Sequence, residues 1–472
     1  MVFSSYTFIF AFFPIFLVVY ALLSPRYRNP WILVASLSFY GLGDPGGLPI
    51  LIGAIVVNYG VGALMGPLPP GEEPRRNGRR RALMWTGVAV NLAVLGYYKY
   101  VGFLTTNLDA LAERVGLGSV PVVAALLPLG ISFFVFQGVS YLIDVYRGTV
   151  VPTRSLLTFA TYKSLFPQLI AGPIVRYSDI ADDLPDRTIR ESMVYAGIVR
   201  FLTGFCKKVL LADTFAVTAD AIFGLPPDQL DTGTAWLGAL AYTLQIYFDF
   251  SAYSDMAIGM GLMMGFRFPE NFNYPYISRS IREFWRRWHM TLSGWFRDYV
   301  YISLGGNRKG SGRTYVNLMA VFVLTGLWHG AAWTFVVWGL WHGLFIVAER
   351  ATRFEERVPG AIRWVYTMAV VVFGWVLFRA ETFEGAFHMM ALMLGLESGP
   401  GLRPVGEFWS GGLAVAVVAG LVLSLPVYPW LRARLPRDLK VVAGTVMFAG
   451  LFALAAAKVL AGAYSPFLYF RF

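Results

Sequence analysis

The chain has 472 residues, of which 57% are hydrophobic and only 14% charged, with a formal net charge of +11. A soluble domain carries about 25% charged residues, so this composition excludes a soluble enzyme, a disordered chain and a disulfide scaffold. The single cysteine allows neither an internal disulfide nor a Cys-based metal cage.

The apolar stretches are unbroken, unlike the alternating ten-residue strands of an outer-membrane barrel. At ~20 residues per span, the apolar content sets a ceiling of roughly 13 membrane helices. In such a protein an excess of Lys and Arg reads as topology, because these residues collect in cytoplasmic loops. Nucleic-acid binding is not expected, since no soluble basic domain exists to hold it. The first apolar run, 3–23, lacks a basic n-region and is too long for the apolar part of a signal peptide, so no cleavage is expected. Arg26 and Arg28 follow it and place the N-terminus on the outer side.

Along the N-terminal stretch, 1–120, membrane helices are expected at 3–23, 31–42, 48–65 and 82–98. Between the last two lies a Gly/Pro-rich loop, 66–71, followed by Arg75, Arg76, Arg79, Arg80 and Arg81 against Glu72 and Glu73, a cytoplasmic marker. Residues 101–115 are amphipathic and suit the interface. In the central stretch, 121–350, candidate helices at 121–143, 156–175, 191–222 and 235–265 are interrupted. Pro128, Gly130 and Gln137 fall in the first, and Pro167, Gln168, Gly172 and Pro173 in the second. Non-helical backbone at membrane depth survives only where protein or a water-filled cavity satisfies it, so these segments read as re-entrant or kinked around an internal cavity. Residues 267–313 hold nine basic residues (Arg267, Arg279, Arg282, Arg286, Arg287, Arg297, Arg308, Lys309, Arg313) against Glu270, Glu283 and Asp298, and so more than half of the net charge. Spans resume at 315–330 and 331–348. The C-terminal stretch, 351–472, adds 361–379, 411–427 and 441–460, with an amphipathic segment at 383–396. The expectation is one all-α polytopic membrane domain of ~11 spans with re-entrant and interfacial helices.

Chemistry narrows to few residues. There are four histidines, His289, His329, His342 and His388. Histidine suits general acid–base work near neutral pH, and an ionisable residue within a membrane is a functional candidate by default. His329 is the foremost. It ends the apolar run from Tyr315, beside Trp328 and between Gly326 and Gly330, which leave room for a substrate or another backbone. On a continuous helix Thr325 and Trp333 would share its face. A packed histidine bonded between helices is the bland alternative, and spacing leaves both open.

His289 follows an aromatic stripe formed at helical spacing by Ile281, Phe284, Trp285, Trp288, Leu292 and Trp295. Arg282, Arg286, His289 and Ser293 fall on the opposite stripe. Such a helix lies along an interface or lines a funnel. Its arginine row suits the phosphates of a cofactor or of a carrier's phosphopantetheine, and suits anionic lipid headgroups equally. His342 lies 13 residues after His329. At about 100° per residue that is roughly 220° around a helix, so the two cannot share a face, and His342 reads as structural. His388, in the amphipathic 383–396 segment, does too. Asp249 and Asp255 sit inside an apolar run. They could organise the site or bind a proton, and the simpler reading is pairing with the basic 267–313 segment or with backbone amides. Cys206, before Lys207 and Lys208, reads as structural. No Gly-rich phosphate loop, His-Glu-x-x-His or Gly-x-Ser-x-Gly motif is present, and no metal is expected.

Taken in order, several segments resemble the membrane-bound O-acyltransferases, in the bacterial branch containing the membrane subunit of alginate O-acetylation. They are Gly130 to Gln137, Tyr141 to Gly148, Phe166 to Arg176, Tyr247 to Gly259, Pro269 to Tyr276, Phe284 to Arg297 and Thr325 to Gly330. The ending from Pro466 to Phe472 resembles that branch as well. The resemblance implies a ring of membrane helices around a central tunnel. It implies catalysis by His329, with His289 as the second polar position, and Arg282, Arg286, Asp249, Asp255 and Trp328 binding the donor or organising the site. The donor would be a cytoplasmic thioester, acetyl-CoA or an acyl carrier, with no permanently bound cofactor. The acceptor would be an extracytoplasmic polysaccharide such as alginate, reached with periplasmic acetyltransferase partners, in the bacterial inner membrane.

In that chemistry His329 would take the proton of an acceptor hydroxyl as it attacks the thioester carbonyl. His289 would orient the donor or stabilise the oxyanion. Two readings compete. A transporter or flippase also uses broken helices and midplane polar residues, but no paired halves with matching interruptions are found. A non-catalytic scaffold of an acetylation complex would make His329 dispensable.

Overall fold

A computed structural model describes residues 3–397, 399, 401–434, 436–462 and 467–468. Every regular element among them is helical. The chain divides into two compact units, Met1–Ile198 with Ala257–Pro269, and Val199–Met256 with Glu270–Phe472. Three helices, Leu48–Met65, Gly78–Arg114 and Gly360–Arg379, are long and apolar enough to cross a membrane, and shorter apolar helices run over Phe8–Leu22, Gly411–Leu423 and Gly444–Leu460. Other segments carry polar residues or breaks. Thr232–Met263 is one helix of 32 residues that holds Gln245, Asp249, Ser251 and Asp255 along its length.

In the first unit, the segment expected at 121–143 becomes helical only at Ile131, after Gly130 in the left-handed region (φ 69°). A Cβ on Gly130 would lie 2.5 Å from the Leu169 carbonyl oxygen, so only glycine lets these two broken segments meet. The expected break at Pro167 is also present. Leu156–Ser164 is followed by the single turn Phe166–Leu169 and then by non-helical backbone, all of it buried. Protein therefore surrounds this irregular backbone, the condition under which it persists in an apolar setting.

The amphipathic 101–115 segment continues the preceding helix through a π turn at Gly96–Tyr100. One expectation for the loop between the earlier spans changes. Arg80 is not a solvated loop residue but is buried. Its guanidinium donates to the carbonyls of Met65 (2.7 Å), Gly66 (2.6 Å), Pro67 (3.0 Å) and Val145 (2.7 Å). It thereby satisfies carbonyls at the ends of the Leu48–Met65 and Ile131–Arg147 helices that have no intrahelical donor.

In the second unit, Gly310–His329 and Trp333–Thr352 form a hairpin whose backbones nearly touch. A Cβ on Gly326 would lie 2.2 Å from the Phe335 carbonyl, and one on Gly339 2.3 Å from the Phe322 carbonyl. Small residues facing each other allow this approach. Glu349 of the second helix accepts the Ile281 (2.7 Å) and Arg282 (3.3 Å) amides. Ser280 accepts the Glu283 amide (3.0 Å). Together they cap the short Ile281–Arg287 helix and hold it against the hairpin.

Candidate functional site

The expected continuous amphipathic helix over 281–295 is broken in the middle. Helix Ile281–Arg287 stops, Trp288 is extended, and His289 stands in the left-handed region (φ 43°, ψ 54°) before helix Met290–Trp295 begins. His289 is therefore not on the arginine stripe. It is fully buried (0% exposed), while Arg282 and Arg286 are exposed on the preceding helix. A non-glycine residue at positive φ costs on the order of 1–3 kcal/mol and persists only where its surroundings enforce it.

The enforcing groups come from Pro269–Tyr276. This segment runs beside the break and takes up its backbone groups. The Met290 amide donates to the Asn271 carbonyl (2.9 Å), and the Asn273 amide donates to the Arg287 carbonyl (2.9 Å). Asn271 then reaches the histidine itself, with its Oδ1 3.0 Å from His289 Nδ1. Thr291 donates to the same oxygen through its amide (3.3 Å) and its hydroxyl (2.8 Å). Asn271 Nδ2 donates to Ser254 Oγ (3.0 Å). The Phe250 ring stands edge-on to the His289 ring at 4.7 Å, and the Trp328 ring packs against it at 5.9 Å. Its Nε2 is buried with no hydrogen-bond partner among the described residues.

His329 is the last residue of its helix, which ends at Gly330. Trp333 consequently starts the next helix, is exposed, and does not share a face with His329. Gly326 and Gly330 are both occupied by protein, the first by the Phe335 backbone and the second by the Phe335 ring. His329 is 4% exposed and packs on the rings of Trp328 (5.0 Å), Trp338 (5.1 Å) and Phe378 (5.2 Å). The structure thus brings both His289 and His329 against a single indole, that of Trp328.

His342 is also fully buried, on the helix after the turn. It packs on Trp338 (5.1 Å), Trp285 (5.3 Å) and Phe284 (6.3 Å). It and His329 touch the same Trp338 because the chain turns back between them. His388 is half-buried and pairs with Glu397.

The two aspartates organise the same unit by ion pairing, with partners other than the 267–313 arginines. Asp249 pairs with Lys208 (2.6 Å), which also pairs with Asp213 (2.7 Å), and it accepts the Leu468 amide (2.7 Å). Asp255 pairs with Arg200 (2.7 Å) and Lys207 (2.9 Å), and Arg200 reaches on to Glu270 (2.6 Å). Glu270 precedes Asn271, so the Asp255–Arg200–Glu270 chain fastens the segment that holds His289. Lys207 and Lys208 start a π turn, Lys207–Ala212, and both commit their ammonium groups to carboxylates. Cys206 beside them is buried. Of the C-terminal stretch 466–472, only Phe467 and Leu468 are among the described residues. Among the described residues no cluster of His, Cys, Asp or Glu could hold a metal ion.

Arg282 pairs at the surface with Glu355, so part of its charge is answered within the protein. Asn271, Ser254 and Thr291 are the residues that sequence reasoning did not single out. The available signal was a polar Asn-Glu pair in an otherwise aromatic and Pro-rich stretch.

Comparison with known proteins agrees with this architecture. A model of the membrane-bound O-acyltransferase family matches residues 150–383. The "Probable alginate O-acetylase AlgI" of Pseudomonas putida is 45% identical over 100% of both chains. The "Peptidoglycan O-acetyltransferase" of Helicobacter pylori is 36% identical over 84% of this chain and 80% of its own. The "Teichoic acid D-alanyltransferase" of Bacillus subtilis is 31% identical over 55% of this chain and 69% of its own. The chain belongs to the membrane-bound O-acyltransferase family, on its alginate O-acetylase branch, and is an acyltransferase.

Proposed function

From that membership we propose that the chain moves an acetyl group from a thioester donor, acetyl-CoA or an acyl carrier, to hydroxyls of an extracytoplasmic polysaccharide such as alginate. It would work in the bacterial inner membrane, with ~11 spans around a central tunnel and with periplasmic partners that complete transfer. The observation that carries the reading is two buried histidines that both pack against Trp328, one at a helix end and one in a strained break, in a chain that aligns end to end with an alginate O-acetylase relative.

His329 is the general base in this scheme. It takes the proton of the acceptor hydroxyl as that oxygen attacks the thioester carbonyl, the C–S bond breaks, and the thiolate leaves. The thioester is already activated, so the protein mainly positions the two reactants and steadies charge. Arg282 and Arg286, exposed on the first turns beyond the Ser280 cap, meet donor phosphates. Asp255 and Asp249 hold the scaffold on which His289 stands.

The test is acetyl transfer by the full chain in lipid vesicles, with radiolabelled acetyl-CoA inside and mannuronate-rich alginate outside. Label in the polymer supports the donor, the acceptor and the direction together. Label that stays on CoA while carrier-bound acetyl is consumed assigns the donor to a carrier. Consumption of neither thioester refutes the proposal.

A further inference from the structure

The hydrogen bonds around Asn271 decide which nitrogen of His289 carries its proton. The Thr291 amide can only donate, so the Asn271 atom that faces it is the carbonyl oxygen. Asn271 Nδ2 is then turned to Ser254 Oγ, a hydroxyl that can accept from it. An amide oxygen can only accept, so His289 Nδ1, 3.0 Å away, must be the donor. A neutral imidazole has one N–H. Nε2 then carries a lone pair and no hydrogen, and it is the nitrogen left buried without a partner among the described residues. The left-handed backbone at His289 and the rings of Phe250 and Trp328 hold the imidazole in this pose.

A nitrogen with only a lone pair cannot donate to an oxyanion. It can receive a hydrogen bond. The reacting groups offer few donors. The acetyl group and the sulfur have none, and the attacking hydroxyl gives its proton to His329. On the thioester itself the nearest donor is the amide N–H two carbons from the sulfur, in the pantetheine-type arm shared by CoA and carrier thioesters. We propose that Asn271 is a positioning residue that holds His289 as the Nδ1–H tautomer, so that His289 Nε2 accepts a hydrogen bond from this amide N–H and orients the donor. The proposal rests on the thioester reading above and settles the role of His289 within it.

Two measurements on the full chain in lipid test it. The first is a ¹⁵N-histidine spectrum, in which the His289 signal is the one missing from His289→Gln. The expected result is a protonated Nδ1 and a bare Nε2, and an Nε2–H tautomer overturns the proposal. This reading does not depend on any Asn271 variant. The second compares two short donors, S-acetyl-N-acetylcysteamine and its analogue with an ester oxygen in place of the N–H. Wild type is expected to prefer the amide by roughly tenfold in kcat/KM, the size of one hydrogen bond. Asn271→Leu is expected to lose that preference. Asn271→Asp, whose carboxylate accepts the same Nδ1–H, should retain it. A wild type indifferent to the N–H, or a folded Asn271→Leu with the preference intact, overturns the donor contact while the acyltransferase reading stands. Failure of wild type to consume any thioester removes the donor contact together with the thioester reading, and the spectrum still decides the tautomer.

Discussion

Asn58 and Asn91 pair with each other, whereas Asn271 pairs with a histidine, and the two clusters end differently. The first is closed on itself. Asn58 Nδ2 donates to Asn91 Oδ1 (3.2 Å) and to the Ala54 carbonyl (2.7 Å), and Asn91 Nδ2 donates to Asn58 Oδ1 (2.9 Å) and to the Gly87 carbonyl (2.8 Å). Gly138 lies against both amides, so close that a Cβ there would be 2.7 Å from either oxygen. The second cluster satisfies one side of an imidazole and presents the other, Nε2, without a partner among the described residues. A buried polar group that the protein leaves unanswered has a cost. A closed amide pair is explained by packing alone, whereas the open imidazole fits the donor contact proposed above.

The largest expected effect separates the two at the level of chemistry. Replacing a general base typically removes ~10²–10⁴-fold in rate, so His329→Ala should lose turnover by that factor while its thermal unfolding stays near wild type, measured by acetyl transfer and melting of the same preparation. Asn91→Leu should act the other way. It strands the Asn58 amide and should lower stability by about 1–3 kcal/mol, read from the unfolding midpoint, with activity per folded molecule unchanged. Combining it with Asn58→Leu should give less than the sum, since the two share one interaction.

Gly326→Val sharpens the comparison within the catalytic unit. Its Cβ would meet backbone rather than a movable side chain, so overpacking should cost about 1–3 kcal/mol and disturb His329 three residues on, seen as a joint fall in melting temperature and turnover. The smallest effect belongs to Arg282→Ala with Arg286→Ala. Exposed residues and a surface pair with Glu355 contribute at most about 1 kcal/mol to stability. Their removal should raise KM for a phosphate-bearing donor and leave KM for S-acetyl-N-acetylcysteamine as it was.

Much of this was readable before any coordinates. Ordered motifs carried the family, and Gly130 and Pro167 marked real breaks because glycine and proline act on the local backbone. The break at Trp288 and His289 was not legible. The aromatic stripe keeps helical spacing straight through it, and the groups that take up the broken backbone are Asn271 and Asn273, on a separate upstream segment. Arg80 looked like a loop charge because its partners are carbonyls, which leave no trace in a side-chain pattern. The partners of Asp249 and Asp255 are Arg200, Lys207 and Lys208, on an earlier helix, and no local pattern shows which basic residues pair across helices. The expected separation of 315–330 from 331–348 is present, with the turn at Gly330, so the one-helix angle between His329 and His342 does not apply.

The most direct test of the account compares three proteins, His329→Ala, His289→Ala and Asn91→Leu, for acetyl transfer at matched folded amounts in lipid. The account predicts that the two histidine variants stay folded and lose turnover, while Asn91→Leu melts earlier and transfers acetyl normally. Normal transfer by well-folded His329→Ala, or loss of transfer by folded Asn91→Leu, would contradict it.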